Sequence, residues 1–317
     1  MPVGNDLNAA IRLLTRGELV AIPTETVYGL AANALNDAAV VKIFEAKKRP
    51  RFNPLIVHVA DWAQARAYIS GVPPLAEKLA QAFWPGPLTL LLPKNHLIPD
   101  LVTAGSPHVA LRAPRHPLAQ ELLRALPFPL AAPSANPFGY ISPTTAAHVQ
   151  AQLGDTVLYI LNGGPAEVGL ESTIVGFDEQ GTILYRLGGL GVDELEGVAG
   201  PVRDGRQTEG KPQASGMLKS HYAPKTSLWL DNSPADHPEK AGALRFREYL
   251  PGIPREWQRL LSPKGDLTEA ARNLFIYLHE LDQLGLDAIL AERVPGHGLG
   301  LAINDRLERA QAIFKTH

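Results

Sequence analysis

Short apolar runs alternate along the first half of the chain with segments whose apolar residues recur at helical spacing. Between Leu7 and Leu14 the apolar positions repeat every three or four residues, Asp6 precedes them as a candidate helix cap, and Gly17 follows as a stop. Residues 19–22 are continuously apolar, which predicts a buried strand. The chain therefore begins with a helix that leads into a strand.

The same alternation continues to about residue 187. It predicts a helix that Asp37 caps and Pro50 stops, and it places further elements after that point. Strands are predicted at residues 55–59, 88–92, 109–111, 130–132, 158–161, 173–177 and 183–186, and helices at residues 61–69, 75–84, 117–125 and 144–152. This interleaving predicts an α/β or α+β domain with a mixed sheet over residues 1–187.

The pattern changes at Gly188, where glycines become frequent and apolar residues thin out. We predict no element of useful length in residues 188–227, which we interpret as a linker or a lid over the site. Order resumes afterwards, with strands predicted at residues 228–230, 243–246 and 288–291 and helices at residues 267–281 and from about 303. These elements predict a small α/β domain over residues 228–317.

Composition narrows the classes of protein. A chain of 317 residues with 45% apolar positions is long enough for two domains, and its net charge of -2 does not indicate a nucleic-acid or membrane-surface protein, although a local basic cavity remains open. The sequence has no cysteine, which excludes disulfides and thiolate chemistry and fits the cytosol. We find no apolar run of membrane-spanning length and no signal peptide, so we expect a soluble, cytoplasmic protein with no membrane contact.

Polar residues directly follow the first predicted strand, in the run PTETVYGL at residues 23–30. Lys47 and Arg49 stand at the end of the next helix, within a cluster that also holds Lys48 and Arg51. A mobile ammonium and a forked guanidinium together suit a polyphosphate. The alternative is a solvated helix end whose cations complement the helix dipole. Because prolines bracket the cluster, we favour a fixed site.

Standard motifs are absent from the sequence. There is no GxxxxGK[ST] loop, no GxGxxG, no GxSxG and no HExxH. Any nucleotide must therefore bind in a cleft of another kind.

Other candidate ligands lie near strand ends. Ser134 and Asn136 follow a predicted strand and can donate to phosphate oxygens or a base, although such residues are equally common in turns, and Ser142 can cap the following helix. Arg112 and Arg186 each close an apolar strand, where they would suit an anion or simply lie at the surface.

Three further positions complete the candidate site. His58 lies in the apolar run LIVHV and is either a satisfied core histidine or, on a strand next to the one that ends at Thr24, a substrate contact. Ser172 follows Glu171 just before a predicted strand. His221 and Tyr222 stand in the glycine-rich segment, which indicates a lid that orders over the site and protects the chain from proteolysis near Met217.

Six motifs in order resemble one known family. PTETVYGL, KKRPRFNPLIVHV, WPGPLTLLL, APSAN, ESTI and HYAP closely resemble the threonylcarbamoyl-AMP synthase family in its long form with a C-terminal extension. The resemblance implies a YrdC-like twisted mixed sheet with flanking helices around a basic cavity, and a smaller Rossmann-like domain. It implies a nucleotidyltransferase that converts L-threonine, bicarbonate and ATP to threonylcarbamoyl-AMP and pyrophosphate, for t6A37 modification of tRNAs that decode ANN codons.

The resemblance also implies roles for individual residues. The residues implied to bind L-threonine are Thr24, His58, Arg112 and Ser172. Those implied to bind ATP are Lys47, Arg49, Asn53, Ser134, Asn136, Ser142, Arg186 and Tyr222. No covalent nucleophile is expected, because a carboxylated threonine can itself attack the α-phosphorus, and Mg²⁺ is expected to be carried mainly by the ATP phosphates.

Two alternative functions remain. The same basic surface could bind double-stranded RNA without catalysis. A carbamoyl-adenylate enzyme for another acceptor would be expected to carry accessory domains, such as a cysteine-rich finger, which this sequence lacks. Expected partners of the synthase are threonylcarbamoyl-transfer enzymes and, indirectly, tRNA, and the second domain would hold the linker, bind partner enzymes or support an oligomer.

Overall fold

The structure is a computed structural model that describes residues 2–206, 221–231 and 238–312. It contains a large mixed sheet and a small parallel sheet, each covered by helices. The predicted α/β class, with a smaller second α/β unit, is confirmed.

The large sheet belongs to the first 204 residues. Its strands are β1 (Val3–Gly4), β2 (Val20–Ile22), β3 (Gly29–Asn33), β4 (Ile56–His58), β5 (Leu88–Pro93), β6 (His108–Arg112), β7 (Leu130–Ala131), β8 (Tyr159–Leu161), β9 (Thr173–Asp178), β10 (Gly181–Arg186) and β11 (Val202–Asp204). Their order in the sheet is β1-β8-β2-β3-β7-β4-β6-β5-β9-β10-β11. Non-consecutive strands are therefore neighbours across most of the sheet, which gathers distant parts of the sequence.

Helices cover this sheet. They are α1 (Leu7–Thr15), α2 (Asp37–Lys47), α3 (Trp62–Arg66), α4 (Pro74–Phe83), α5 (Asp100–Thr103), α6 (Pro117–Ala125), α7 (Ala146–Leu153) and α8 (Val192–Ala199). The Asp6 carboxylate caps α1 by accepting a hydrogen bond from the Ala9 amide at 3.1 Å, as predicted. Asn36, rather than the predicted Asp37, caps α2.

The small sheet contains β12 (Ser227–Leu230), β13 (Ala241–Arg245), β14 (Gln258–Leu260) and β15 (Ala288–Ala291). Its strands are parallel, in the order β12-β15-β13-β14, and it packs with α9 (Leu267–Asp282) and α10 (Leu299–Ala312). One continuous hydrophobic cluster joins the two sheets, and α9 contributes Leu274 and Phe275 to it. The second sheet and its helices, which we call the C-terminal domain, are thus packed on the first through a shared core.

The prediction that residues 188–227 lack regular structure is wrong for residues 192–204. Helix α8 packs against α4, and β11 pairs in parallel with β10, so the large sheet continues past residue 187. The Gly191 amide donates to Glu194 Oε1 at 3.2 Å, which starts this short helix. Glycine at both ends of the helix concealed it in the sequence. Met217 and residues 207–220, where we predicted most of the lid, lie outside the described residues.

Two further differences concern the centre of the sheet. Strand β3 begins at Gly29, within the PTETVYGL run, and continues to Asn33. No strand was predicted there, because its residues are small and show no clear alternation. Strands β3 and β7 separate β2 from β4, so the expectation that His58 lies on a strand next to the one that ends at Thr24 is wrong. Within the described ranges, no helix is both long enough and apolar enough to cross a membrane.

Candidate active site

A cavity opens where the large sheet meets the start of the C-terminal domain. Eight of the predicted site residues line it: Thr24, Arg49, His58, Arg112, Ser134, Ser172, Arg186 and Tyr222. All four residues expected to contact threonine are among them. Lys47, Asn53, Asn136 and Ser142 are buried beside the lining residues rather than among them. Arg51 is exposed at the surface.

Thr24 shapes the loop that follows β2. Its Oγ1 lies 2.6 Å from the Val27 carbonyl oxygen and accepts hydrogen bonds from the amides of Thr26 and Val27 at 3.2 and 3.3 Å. A threonine hydroxyl that bonds its own backbone in this way fixes a turn. The loop therefore presents a defined polar edge to the cavity.

His58 and Arg112 form one wall. They end the neighbouring parallel strands β4 and β6 and are partners in register. Arg112 Nη2 lies 2.7 Å from Glu25 Oε1, and its Nε donates to the Gly86 carbonyl at 3.2 Å. Burial, with Arg112 nearby, lowers the pKa of His58 to about 3. At neutral pH the wall therefore combines a neutral imidazole with a guanidinium.

Ser172 links that wall to a second cation. Its Oγ lies 2.7 Å from Thr89 Oγ1 and accepts from Arg186 Nη2 at 3.0 Å, while Arg186 Nε donates to the Ser172 carbonyl at 2.9 Å. Arg186 ends β10, as predicted. The residue expected to touch threonine thus orients a residue expected to touch ATP.

Lys47 and Arg49 stand at the end of α2, where Arg49 lines the cavity and Lys47 is buried beside it. Lys48 closes helix α2 in a left-handed conformation, with φ of 52°, which turns the chain between the two cations. Lys47 Nζ donates to the Ser134 carbonyl at 2.5 Å and to Asn136, and Arg49 donates to the Asn53 and Pro54 carbonyls at 3.2 and 2.9 Å. Lys47 therefore holds the loop after β7, and Ser134 forms its face to the cavity.

The cations are costly to bury in this arrangement. Burial, with Arg49 nearby, lowers the pKa of Lys47 well below its ordinary value. Mainly through burial, the pKa of Arg49 is lowered to about 9 and that of Arg186 to about 10. Several like charges in a low-dielectric cavity disfavour one another, and a polyanion relieves this cost. The cavity is chemically suited to phosphates.

Three residues act behind the lining. Ser142 Oγ donates to Glu171 Oε1 at 2.5 Å, whereas Thr145 caps α7, so the cap predicted for Ser142 is wrong. The Asn136 amide group donates to the Pro137 and Tyr140 carbonyls. Both polar atoms of the fully buried Asn53 side chain lack a hydrogen-bond partner among the described residues. Asn53 therefore has unused hydrogen-bonding capacity, although it does not line the cavity.

Residues 221–223 contribute His221 and Tyr222 to the cavity lining. The Ala223 amide donates to the Gly139 carbonyl at 2.9 Å, and the Tyr222 ring packs 5.8 Å from the ring of Phe275. Tyr222 has φ of 66°, a conformation that non-glycine residues rarely adopt. The contact of its ring with Phe275 and the hydrogen bond of the neighbouring Ala223 hold this tyrosine at the cavity.

Sequence reasoning missed two charged residues. Glu25 pairs with Arg112, and its position inside the PTETVYGL run was the only available signal. Arg306 of α10 pairs with Glu171 at 2.9 Å, although 135 residues separate them. No local pattern marks such a contact.

Comparisons with known proteins cover nearly the whole chain. A family model described as "Telomere recombination", for the Sua5, YciO and YrdC proteins, matches residues 12–188, and one described as "Threonylcarbamoyl-AMP synthase, C-terminal domain" matches residues 190–312. The chain belongs to the threonylcarbamoyl-AMP synthase family. The family and the enzyme class predicted from the motifs are confirmed.

Relatives within the threonylcarbamoyl-AMP synthase family match over almost their full length. The synthase of Pyrococcus abyssi is 40% identical over 321 residues, which cover 96% of this chain and 93% of the relative. That of Bacillus subtilis is 40% identical over 317 residues, which cover 95% and 91%. The crystal structure of P. abyssi Sua5 complexed with L-threonine superimposes with a TM-score of 0.90 at 39% identity and covers 96% of this chain and 94% of that chain.

Proposed function

We propose that this chain synthesises L-threonylcarbamoyladenylate and pyrophosphate from L-threonine, bicarbonate and ATP. The observation that carries the proposal is one cavity whose lining includes His58 and Arg112 together with Arg49 and Arg186. Its guanidinium groups suit the carboxylate of an amino acid and the phosphates of a nucleotide. The near full-length similarity to threonylcarbamoyl-AMP synthases identifies the amino acid and the nucleotide.

The proposed chemistry has two steps. The threonine amine attacks the carbon of bicarbonate-derived CO₂, so that a C–N bond forms and a proton leaves the nitrogen to give a carbamate. A carbamate oxygen then forms a bond to the α-phosphorus, and the bond to the bridging oxygen breaks to release pyrophosphate. Overall, one water is lost from bicarbonate and threonine. No covalent enzyme intermediate is required.

The residues contribute orientation and charge. Arg112 binds the threonine carboxylate, and the neutral His58 accepts a hydrogen bond without adding a second positive charge to that wall. Arg49 and Arg186 stabilise the charge that develops on the phosphates, and the Lys47 ammonium fixes the loop that carries Ser134. The reacting groups are thereby held between fixed donors.

We propose that Mg²⁺ is bound by the nucleotide rather than by a protein site. The described residues contain no group of three or more His, Asp or Glu side chains able to hold an ion. Glu171, which lines the cavity, and Glu25, which contacts the lining residue Arg112, are each paired with an arginine. We therefore propose that ATP brings Mg²⁺ on its phosphates.

The product is an acyl-phosphate mixed anhydride, which a transfer enzyme must consume before water does. We propose that threonylcarbamoyl-transfer enzymes receive it for t6A37 modification of tRNA, in the cytoplasm where tRNA and ATP are present. The alternative of duplex RNA binding lacks structural support, because Lys47, Arg49 and Arg186 are buried rather than arranged on a surface that a duplex can reach.

The decisive experiment incubates purified protein with L-threonine, bicarbonate and Mg-ATP and measures pyrophosphate. We expect pyrophosphate release that requires both threonine and bicarbonate, and an adenylate product of the corresponding mass. L-alanine, which lacks the side-chain hydroxyl, serves as the matched control substrate. ATP binding without threonine-dependent pyrophosphate release would overturn the proposed function.

A further inference from the structure

Arg306 on α10 is a buried cation at the contact between the C-terminal domain and the cavity. Its side chain is 1% exposed, its Nε lies 2.9 Å from Glu171 Oε2, and its Nη1 lies 2.7 Å from Asp305 Oδ2. Its Nη2 donates to the Leu187 carbonyl at 2.7 Å, and its central carbon lies 5.0 Å from the centre of the Tyr222 ring. The guanidinium is therefore engaged on every edge and on one face.

Glu171 makes this contact important for ligand binding. Its carboxylate lines the same cavity as Arg49 and Arg186, which are expected to face a triphosphate. A buried carboxylate at that position would repel phosphates unless its charge were compensated. Arg306 supplies the compensation from another domain. The second carboxylate oxygen of Glu171 accepts from Ser142 Oγ, so the same pairing also fixes Ser142.

The next turn of α10 supports the segment that closes the cavity. The Arg309 carbonyl accepts a hydrogen bond from the His221 amide at 3.3 Å, and Arg309 Nε lies 3.0 Å from Asp305 Oδ2. Asp305 thus joins Arg306 and Arg309 on one side of the helix. This arrangement places Tyr222 between the helix and the cavity wall.

We propose that Arg306 is a positioning residue for ATP, which acts by neutralising Glu171 and by holding Tyr222 and Ser142 in place. This gives the C-terminal domain a defined role in the reaction, because a residue of that domain sets the charge of the catalytic cavity. The inference rests on the proposed function, since it assigns a purpose to the same cavity. It predicts that Arg306 and Glu171 are coupled in nucleotide binding.

The test compares Arg306→Met, Glu171→Gln and the double variant with the wild-type protein. We measure KM for ATP and for threonine by pyrophosphate release, and affinity for α,β-methylene-ATP by calorimetry. Arg306→Met is expected to raise KM for ATP and weaken the analogue by about tenfold, through the uncompensated Glu171 charge, with a smaller effect on KM for threonine. In the double variant the removal of that charge is expected to restore most of the lost affinity.

Arg293→Met is the matched control, because Arg293 is a half-exposed arginine of the same domain that pairs with Asp231 and Glu308. It should leave both KM values unchanged. If Arg306→Met does not fold, the double variant is compared with Glu171→Gln, and similar affinities for ATP are expected, with at most a small loss from the missing contact with Tyr222. An unchanged KM for ATP in Arg306→Met, or a double variant that binds ATP much more weakly than Glu171→Gln, would overturn the inference.

Analogue binding separates this inference from the proposed function. If the wild-type protein binds α,β-methylene-ATP but releases no pyrophosphate, the proposed reaction fails, while the coupling between Arg306 and Glu171 is still measured. If the wild-type protein is active and the variants show no coupling, only the positioning role fails.

Discussion

His58 and Arg112 are register partners at the ends of the parallel strands β4 and β6. Both side chains line the same wall of the cavity. Because burial and Arg112 together lower the pKa of His58 to about 3, the positive charge of this pair resides on the guanidinium alone. The wall therefore offers a fixed guanidinium, which Glu25 holds in place, next to a neutral hydrogen-bonding group.

Arg112→Lys should impair threonine binding selectively. Lysine keeps the charge opposite Glu25 but cannot form a bidentate contact with a carboxylate. We expect KM for threonine to rise about a hundredfold, or about 2.7 kcal/mol, with little change in KM for ATP. Arg115→Lys is the control, because Arg115 is exposed and pairs with Glu167. Equal KM values for threonine in the two variants would contradict the assignment.

The protein should lose stability as the pH falls below about 6.5. Burial is the main cause that lowers the pKa values of His58, His148 and His279 to about 3, 4 and 3. Because the unfolded chain binds these protons more readily, their contribution is complete above pH 6.5 and is lost as the pH falls towards the folded values. Each of these histidines can lower the free energy of unfolding by up to about 1.4 kcal/mol per pH unit.

Urea unfolding at pH 7.5 and pH 5.5 measures this dependence. His279→Gln should reduce the difference between the two free energies of unfolding, since one titrating group is removed, while Gln can still donate to the Ser142 carbonyl that His279 contacts at 3.2 Å. His96→Gln, at an exposed histidine, is the control. The interpretation fails if both variants retain the pH dependence of the wild-type protein.

Lys47→Met should lower activity strongly and change stability little. Its ammonium holds the carbonyls of Ser134 and Asn136, and burial penalises its charge. We expect kcat/KM for ATP to fall about a thousandfold, or about 4 kcal/mol, while the free energy of unfolding changes by no more than about 1 kcal/mol. Steady-state kinetics and urea unfolding provide both values.

Lys42→Met is the matched control on the same helix, because Lys42 pairs with Glu18 at the surface. It should behave as the wild-type protein in both measurements. Near-normal activity of Lys47→Met would show that the loop keeps its position without the lysine.

Gly169→Ala should loosen the contact between the two domains. Gly169 has φ of +77°, and a Cβ there would lie 2.6 Å from the Ala271 carbonyl oxygen of α9. Gly164→Ala has the same backbone strain, with φ of +82°, but no atom within 4 Å of the new Cβ. We expect Gly169→Ala to be less stable than Gly164→Ala by about 2 kcal/mol, as measured by urea unfolding. Equal stabilities would show that the helix can move aside.

Much of the fold was predictable because its elements have clear periodicity. Helix α6 occupies its predicted range, and β5, β6 and β9 lie within a residue or two of theirs. Strand β3 and helix α8 were missed, since one consists of small residues and the other is short and bounded by glycines. In both, pairing or packing with distant elements compensates for a weak local preference.

The candidate site, too, was only partly predictable from the sequence. Motifs pointed to residues that the structure places in or beside one cavity. The spacing also left open that Ser142 caps the following helix, whereas its hydroxyl reaches Glu171. That partner depends on how β8, β9 and α7 pack, which local spacing does not encode.

The sequence by itself determined the order of the elements, the family, and the chemical types available for a threonine and ATP site, because periodicity and motifs are local properties of the chain. Only the tertiary structure decided which of those groups meet. It set His58 beside Arg112 through strand register, and it brought Arg306 to Glu171 across 135 residues. The physical reason is that burial, pairing and charge compensation arise between distant segments once the two sheets pack on a common core.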